Sequence, residues 1–247
     1  MVRIDPIYPA VSWPADEGVL GVVGVAPWAT LDFCQQLYAL TKVEKEWQYP
    51  RLIIDNNSKI PSRGRHLQLG ERDPSPWIQE TIDTLAEMGA TVAVVPCNTA
   101  HILWPRWSQN SAIPLVSIID ATASSVRKKA ACVALLGSEL LCASGLYQQA
   151  LAATGCTTVA LSSTEQQIVS DCIAAIKVAR RVPKPLLAQL YGCVSQLEVR
   201  GVTTLILACT ELSLLKGSAV WQGLEIIDSN ASLAQVSLEA IGYQKWA

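Results

Sequence analysis

The same pattern occurs twice in the sequence: VVPCNTAH at residues 94–101 and LILACTEL at residues 205–212. Each is an apolar run typical of a buried strand, and each ends in a cysteine, Cys97 in the first and Cys209 in the second. The two cysteines lie 209 − 97 = 112 positions apart, which is about the size of one small domain. The repetition favours two similar lobes with a site between them.

On either side of these stretches, further apolar runs predict strands, and amphipathic segments of helical period lie between them. Strands that alternate with helices along a whole chain predict an α/β fold with parallel sheets covered on both faces. Eight strands could close into one barrel or form two doubly wound halves, and the repeated cysteine pattern favours the halves. The predicted strands are residues 20–26, 52–55, 91–95, 115–118, 132–136, 157–161, 203–208 and 224–227.

The composition excludes several classes of function. The 247 residues are half hydrophobic and carry a net charge of −2, so no basic surface is expected for nucleic acid or an anionic membrane. The first residues lack the features of a targeting peptide, and no apolar run is long enough to span a bilayer. We therefore expect a cytoplasmic protein with reduced cysteines. No cysteine or histidine pair has the spacing of a metal site, so no metal is expected.

The positions of Cys97 and Cys209 indicate acid/base chemistry. Ligands of open parallel sheets collect at the carboxyl ends of strands, where the following helices begin. A thiol at a helix N-terminus is expected to have a lowered pKa. Two such thiols on opposite sides of a cleft can remove a proton from one face of a carbon and return one to the other face. The alternative, a small buried hydrophobe, is favoured for the cysteines at positions 34, 132, 142, 156, 172 and 193.

His101 follows Cys97 by four residues and superficially resembles the partner of a nucleophilic cysteine. Both residues lie within one helical turn, and no acyl-binding feature accompanies them. We therefore predict that His101 only supports the site through a hydrogen bond.

The two cysteine motifs resemble those of the cofactor-independent aspartate/glutamate racemase superfamily, and they are most similar to its aspartate racemase branch. Further motifs occur in the order of that family, so the resemblance covers roughly residues 20–242. It implies two flavodoxin-like lobes related by pseudo-symmetry, an active site between them, and a homodimer. The supporting motifs are APWAT at 26–30, DNNSKIPSR at 55–63, PLVSIIDAT at 114–122, LLGS at 135–138 and SGLYQ at 144–148.

The resemblance also implies a C-terminal segment that returns to the first lobe. The predicted first lobe therefore combines residues 18–119, which contain Cys97, with residues 224–247. Residues 120–223, which contain Cys209, form the second lobe. The proline-containing residues 1–17 are predicted to be an N-terminal arm outside the core.

By matched position, Cys97 and Cys209 become the catalytic acid/base pair, acting without any cofactor. The resemblance further implies that the α-carboxylate and α-amino groups are bound by Asn98, Thr99, Ser138 and Thr210, and that carboxylates meet Arg63 and Lys177. The two threonines are also expected to cap helices. For Arg63, placed in a proline-bounded loop, and for Lys177 the alternative is a solvated surface charge.

The sequence departs from the family pattern at two turns. The glycine-rich turn after the first strand is shortened to GVAP at residues 24–27, and the usual threonine of the LLGT turn is Ser138. Thr-Glu follows the second cysteine, where glutamate racemases have Thr-His, so L- and D-aspartate are the predicted substrates. A glutamate or broad-specificity racemase is the alternative, and a catalytically silent amino acid-binding protein of the same fold is a third reading.

Overall fold

The computed structural model describes residues 17–126, 131–221 and 223–243. The eight strands predicted from apolar runs are confirmed, with ends that shift by two residues at most. They are β1 Leu20–Gly24, β2 Leu52–Asn56, β3 Val92–Val94, β4 Leu115–Val116, β5 Cys132–Leu136, β6 Thr157–Val159, β7 Thr204–Leu207 and β8 Glu225–Asp228.

Helices connect the strands, and the local sequence explains where several of them begin. Pro27 occupies the first turn of its helix, where a missing N–H costs nothing. Ser162 and Glu165 form a capping box at the start of another. No helix of the described residues is both long and apolar enough to cross a membrane. The α-helices are α1 Pro27–Leu40, α2 Arg63–Leu69, α3 Ser75–Glu87, α4 Trp104–Ser108, α5 Ile118–Ser124, α6 Glu139–Ala143, α7 Leu146–Ala152, α8 Ser163–Ala179, α9 Lys184–Val199 and α10 Ser229–Ala240, and the 3₁₀ helices are Glu46–Gln48, Asn98–Leu103, Thr210–Leu215 and Ala219–Trp221.

The strands form two parallel four-stranded sheets with the same topology. The first sheet has the order β2-β1-β3-β4 and the second has the order β6-β5-β7-β8. In each, the chain starts at an inner strand, moves to one edge, and crosses back past the first strand, as in flavodoxin-like folds. The predicted α/β fold with two pseudo-symmetric lobes is confirmed.

The core has three layers, because side chains on successive strand residues point to opposite faces of each sheet. Val133 of β5 and Val22 of β1 both belong to a central cluster, which also contains Phe33 of α1 and Leu233 of α10. The outer face of the second sheet is covered by α8 and α9, and the outer face of the first by α3. One layer of helices therefore lies between the two sheets and packs against both.

Strand β8 belongs to the second sheet, which differs from the predicted lobe boundary at residue 224. It pairs with β7 in parallel, from Thr204 with Glu225 to Leu207 with Asp228. The chain returns to the first lobe one element later, where α10 packs against α1 and α5. Strand β8 completes the second sheet in the same way that β4 completes the first, at the edge next to the last inner strand. The predicted arm, residues 1–17, lies outside the described residues except for Glu17.

Candidate active site

One cavity of about 620 Å³ opens where the inner strands of both sheets end. In doubly wound sheets this edge is the usual ligand site, since neighbouring connections leave in opposite directions there. Four turns contribute to the wall, one after each of β1, β3, β5 and β7, at residues 25–29, 97–99, 138–140 and 209–211. The cavity therefore lies between the lobes, and both Cys97 and Cys209 line it.

The two cysteines occupy equivalent positions. Each has an extended backbone and is the residue immediately before a six-residue 3₁₀ helix, Asn98–Leu103 in one lobe and Thr210–Leu215 in the other. The first N–H groups of such a helix have no partner within it, so they remain available to an anion. Neither Thr99 nor Thr210 is the capping residue, so the predicted capping role is wrong for both.

Cys209 is a buried thiol with a carboxylate beside it. Its Sγ donates a hydrogen bond to Oε2 of Glu211 at 3.0 Å. Burial raises the pKa of Cys209 well above its ordinary value, the charge of Glu211 raises it further, and the charge of Lys177 lowers it. The predicted lowering of this pKa is wrong, because desolvation of the thiolate outweighs the dipole of one short helix.

Cys97 is fixed through its backbone. Its carbonyl accepts a hydrogen bond from Nδ1 of His101 at 2.9 Å, while Nε2 of the same ring accepts one from the N–H of Ile118 at 3.2 Å. The ring is buried between Trp104 and Trp107, and burial lowers the pKa of His101 from 6.5 to about 4. His101 is thus a neutral structural link between the Cys97 turn and α5, in agreement with the supporting role predicted for it.

Asn98 is buried, and its side chain makes two hydrogen bonds within the protein. Its Nδ2 donates to Oγ of Ser229 at 2.9 Å, and its Oδ1 accepts a hydrogen bond from the hydroxyl of Tyr147 at 2.6 Å. These bonds use one of the two Nδ2 hydrogens and one of the two Oδ1 lone pairs, so the contact between Asn98 and the substrate stays a prediction. Asn98 can serve a ligand through its backbone N–H at the start of the 3₁₀ helix.

The segment 228–230 connects the surroundings of the two cysteines. Ser229 accepts from Asn98 and donates through Oγ to the carbonyl of Leu207 at 2.8 Å, in the strand that leads to Cys209. Asp228 accepts from Oγ of Ser213, in the 3₁₀ helix after Cys209, at 2.8 Å. The two cysteine turns are therefore joined by side chains from the start of α10.

Hydroxyl groups meet across the cleft. Oγ1 of Thr99 and Oγ of Ser138 lie 3.3 Å apart, although they belong to different lobes. Ser138 also caps α6 by accepting from the N–H of Leu141. Thr210 is directed to Glu211, with 3.5 Å between Oγ1 and Oε2. All three predicted hydroxyl residues line the cavity.

The two predicted cations line the cavity from opposite lobes. Arg63 is the first residue of α2 and not part of a loop. Its guanidinium donates to the carbonyl oxygens of Val25 at 3.0 Å and Pro61 at 3.1 Å. These bonds orient the group and leave further N–H donors for a ligand. Lys177 lies exposed near the end of α8, with its charge acting on Cys209.

Gly24, the last residue of β1, lies in close contact with its neighbours just before the GVAP turn enters the cavity wall. A Cβ at this residue would lie 2.7 Å from the Cα of Asn56 and 2.9 Å from Oγ1 of Thr30. The strand therefore passes close to its neighbour before the turn enters the cavity wall. Only glycine fits without moving the backbone of β2.

Several cavity residues were not predicted from the sequence, among them Asp32, Trp28 and Arg180. Asp32 on α1 accepts hydrogen bonds from Asn230 at 2.8 Å and Gln36 at 2.7 Å, and burial raises its pKa. At the mouth, the guanidinium of Arg180 lies 4.3 Å from the centre of the Trp28 ring. Asp32 and Trp28 lie on α1, and Arg180 is the residue that follows the end of α8. Arg180 and Trp28 are far apart in the sequence, so no local pattern predicts their contact.

Four of the six remaining cysteines, Cys34, Cys156, Cys172 and Cys193, are buried, as expected for small apolar side chains. All eight cysteines are free thiols. Burial raises the pKa of Cys34, Cys142 and Cys172 to about 11 each. These thiols therefore stay protonated and contribute as apolar side chains.

Comparison with known proteins gives a consistent result. A broad specificity amino-acid racemase from Bacillus subtilis, RacX, is 28% identical over 217 residues, which cover 87% of this chain and 91% of the relative. A glutamate racemase from Shewanella woodyi is 26% identical over 74% of this chain and 71% of its own length. Aspartate racemase from Picrophilus torridus has a structure that superposes with a TM-score of 0.80 at 26% identity, covering 93% of this chain and 96% of that one.

The family model described as Asp/Glu/Hydantoin racemase matches residues 21–236. This match covers nearly the whole described chain, including both cysteine turns. The predicted resemblance to the superfamily and to its aspartate racemase branch is confirmed. The chain belongs to the Asp/Glu/hydantoin racemase family and is an isomerase.

Proposed function

We propose that this isomerase is an aspartate racemase that uses Cys97 and Cys209 as two bases and needs no cofactor. The observation that carries the proposal is the equivalent placement of the two thiols. Cys97 follows β3 and Cys209 follows β7, which occupy equivalent inner positions in the two sheets. Each cysteine precedes a 3₁₀ helix, and both line one cavity between the lobes.

This placement suits inversion of an α-carbon. The thiolate of one cysteine takes the α-proton, so an S–H bond forms as the C–H bond breaks and the electron pair stays on carbon. The other thiol then gives its proton to the opposite face, and becomes the thiolate. The product leaves with inverted configuration, and the two cysteines have exchanged protonation states. A carbon this weakly acidic must be held rigidly between the two sulfur atoms.

The polar wall offers binding groups for both ends of a dicarboxylic amino acid. The free N–H groups that open the two 3₁₀ helices, with the hydroxyls of Thr99, Ser138 and Thr210, are suited to the α-carboxylate and α-amino groups. Arg63 can hold the side-chain carboxylate with two charge-assisted hydrogen bonds, and Lys177 adds a positive charge from the other lobe.

A broad-specificity or glutamate racemase is the second candidate. A cavity of about 620 Å³ is in the range that accepts drug-sized ligands, so it has room for more than aspartate. The similarity to a protein named for broad specificity supports the same reading. Rejection of one extra methylene is typically only about 10- to 200-fold, so activity on glutamate is expected to be weaker but measurable.

The decisive experiment is chiral chromatography after purified, dialysed protein has been incubated with each L-amino acid. We expect D-aspartate to form fastest, in the presence of a chelator and of hydroxylamine, which traps pyridoxal phosphate. Loss of activity with either reagent would contradict the cofactor-independent mechanism. Absence of racemisation with every amino acid would favour the silent binding protein.

A second experiment tests the number of bases. When L-aspartate reacts in deuterium oxide and the reaction is stopped early, the D-aspartate should carry deuterium at Cα while the remaining L-aspartate stays protiated. Early exchange into recovered L-aspartate would indicate one base that serves both faces, against the roles assigned to Cys97 and Cys209.

The role of Arg63 is tested by comparing two substrates. Arg63→Leu should lower kcat/KM for aspartate by about 10- to 150-fold, the effect of one charged hydrogen bond of about 1.5 to 3 kcal/mol. Alanine, which has no side-chain carboxylate, should lose much less. The matched control is Arg65→Leu in the same helix, because Arg65 is exposed and paired with Glu71. Equal losses for both substrates would mean that Arg63 binds the α-carboxylate or stabilises the fold, and does not bind the side-chain carboxylate.

We further propose that the protein is a homodimer, as the family resemblance implies. Light scattering after size-exclusion chromatography should give twice the mass of one chain. A monomer that racemises aspartate at full rate would refute the need for a dimer.

A further inference from the structure

The two cysteine turns are equivalent in structure but differ in charge at one position. The residue two places after Cys97 is Thr99, whose hydroxyl lies against Ser138. The residue two places after Cys209 is Glu211, whose carboxylate accepts a hydrogen bond from the Cys209 thiol at 3.0 Å. Among the described residues, no carboxylate makes a corresponding hydrogen bond with the Cys97 thiol. The two thiols are thus unequal before any substrate binds.

We infer that Glu211 is a positioning residue that keeps Cys209 in the protonated, proton-donating form in the free enzyme, so that Cys97 is the base that begins the reaction. The inference rests on the proposed function. A carboxylate that accepts the S–H bond stabilises the thiol, whereas the same carboxylate would repel a thiolate at this distance.

The proton inventory follows from this asymmetry. Substrate enters an enzyme in which Cys209 has a proton and Cys97 accepts one. After one inversion Cys97 holds the former α-proton as a thiol, and Cys209 is a thiolate facing Glu211. The repulsion between that thiolate and the carboxylate favours return of a proton to Cys209. This proton comes from solvent while Cys97 releases its own to solvent, or both protons move back by turnover in the reverse direction.

The other charges around this 3₁₀ helix act in different directions. Lys177 favours a thiolate at Cys209, but it lies on the exposed surface of α8, where solvent screens it. Asp32 on α1 lines the same cavity, and Asp228 at the start of α10 binds the helix through Ser213. These carboxylates add negative charge near the site, and only Glu211 is in direct contact with the sulfur. The charged groups that face the helix from neighbouring elements are Lys177, Arg180, Asp32 and Asp228.

The test measures the pH dependence of alkylation at each cysteine in the free protein. Iodoacetamide reacts with thiolates, and peptide mass spectrometry separates labelling of Cys97 from labelling of Cys209. In Glu211→Gln, which keeps the size of the side chain, the alkylation profile of Cys209 should move to lower pH. Its rate at neutral pH should rise at least about fivefold, the effect of one charge at 4 Å in bulk water. The profile of Cys97 should stay in place.

Two further variants make the result specific. Glu139→Gln removes another carboxylate from the same cavity, one that makes no hydrogen bond with Cys97 or Cys209 among the described residues, so it should shift neither profile. Glu211→Ala removes the same charge but introduces no amide. A shift seen only in Glu211→Gln would therefore come from the new glutamine and not from the lost charge. An unchanged Cys209 profile in both Glu211 variants, or equal shifts at the two cysteines, overturns the inference.

The measurement is independent of turnover. A protein that fails to racemise any amino acid would refute the proposed function and still report the profile of Cys209. If the protein is an active racemase and the alkylation profile of Cys209 is the same with and without Glu211, only the role of Glu211 is refuted. Because the rate at one cysteine is followed against pH, a difference in access between the thiols changes the height of the profile and not its midpoint.

Discussion

Removal of the buried imidazole of His101 is expected to change how stability depends on pH. The neutral ring donates to the carbonyl of Cys97 and accepts from the N–H of Ile118, so a second proton would remove the acceptor as well as bury a charge. Burial lowers the pKa of His101 from 6.5 to about 4. Protons therefore bind the unfolded chain more readily, and the stabilising contribution of the neutral ring is lost as the pH falls from about 6.5 to about 4.

The size of the effect follows from these two values. At pH 5 the unfolded histidine is almost fully protonated and the folded one is mostly neutral, which removes about 2 kcal/mol of stability relative to pH 8. His101→Gln cannot be protonated in this range, so the loss between pH 8 and pH 5 should be about 2 kcal/mol smaller in the variant. At pH 8 the difference in the free energy of unfolding between wild type and variant instead measures the hydrogen bonds lost with the imidazole.

Urea unfolding followed by tryptophan fluorescence at both pH values measures the four free energies. The comparison uses the difference between pH values within each protein, so carboxylates that titrate in both cancel. If wild type and His101→Gln lose the same stability between pH 8 and pH 5, the buried, neutral histidine is not what makes this protein acid-sensitive, and the reasoning fails.

Two further predictions concern buried residues near the cysteine turn and β1. Tyr147→Phe leaves the buried Oδ1 of Asn98 without its donor, so it should destabilise the protein by about 1 to 3 kcal/mol and lower Tm by about 2 to 4 °C per kcal/mol; an unchanged Tm would mean that another donor replaces the phenol. Gly24→Ala forces a Cβ to within 2.7 Å of the Cα of Asn56 and should cost about 1 to 3 kcal/mol in urea unfolding. Gly192→Ala, inside α9 with open space around the new methyl group, should stabilise by about 0.5 to 1 kcal/mol, and equal effects at both glycines would contradict the packing argument.

The sequence predicted the elements of the fold well because the signal for them is local. Buried parallel strands are continuous apolar runs, and each of the eight runs became a strand. The repeated cysteine motif likewise placed Cys97 and Cys209 at strand ends, because a polar residue directly after an apolar run marks where a strand leaves the core. The lobe that contains β8 could not be read in this way, since its pairing with β7 depends on a partner about twenty residues away and not on its own composition.

The side-chain partners within the site could not be predicted, because they come from distant parts of the chain. Asn98 binds Ser229 and Tyr147, which are 131 and 49 residues away. A motif that places an amide beside a cysteine contains no information on whether the amide faces the ligand or the core. The pKa of Cys209 illustrates the same limit, because the dipole of the following helix is a local feature whereas burial is a property of the whole fold.

The link between the two lobes explains why a site shared by separate sheets can hold two thiols in register. In the proposed mechanism a substrate carbon lies between both sulfur atoms, and a shift of about 1 Å in either is costly for the reaction. Segment 228–230 contacts Asn98 beside one cysteine, Ser213 in the helix after the other, and Asp32 on the cavity wall. It belongs to the end of a strand in the second sheet and to the start of a helix that packs against the first. Ser229 joins Asn98 of the first lobe to Leu207 of the second. Movement of one lobe relative to the other would break this bridge, so the segment makes the spacing of the thiols a property of the packed core.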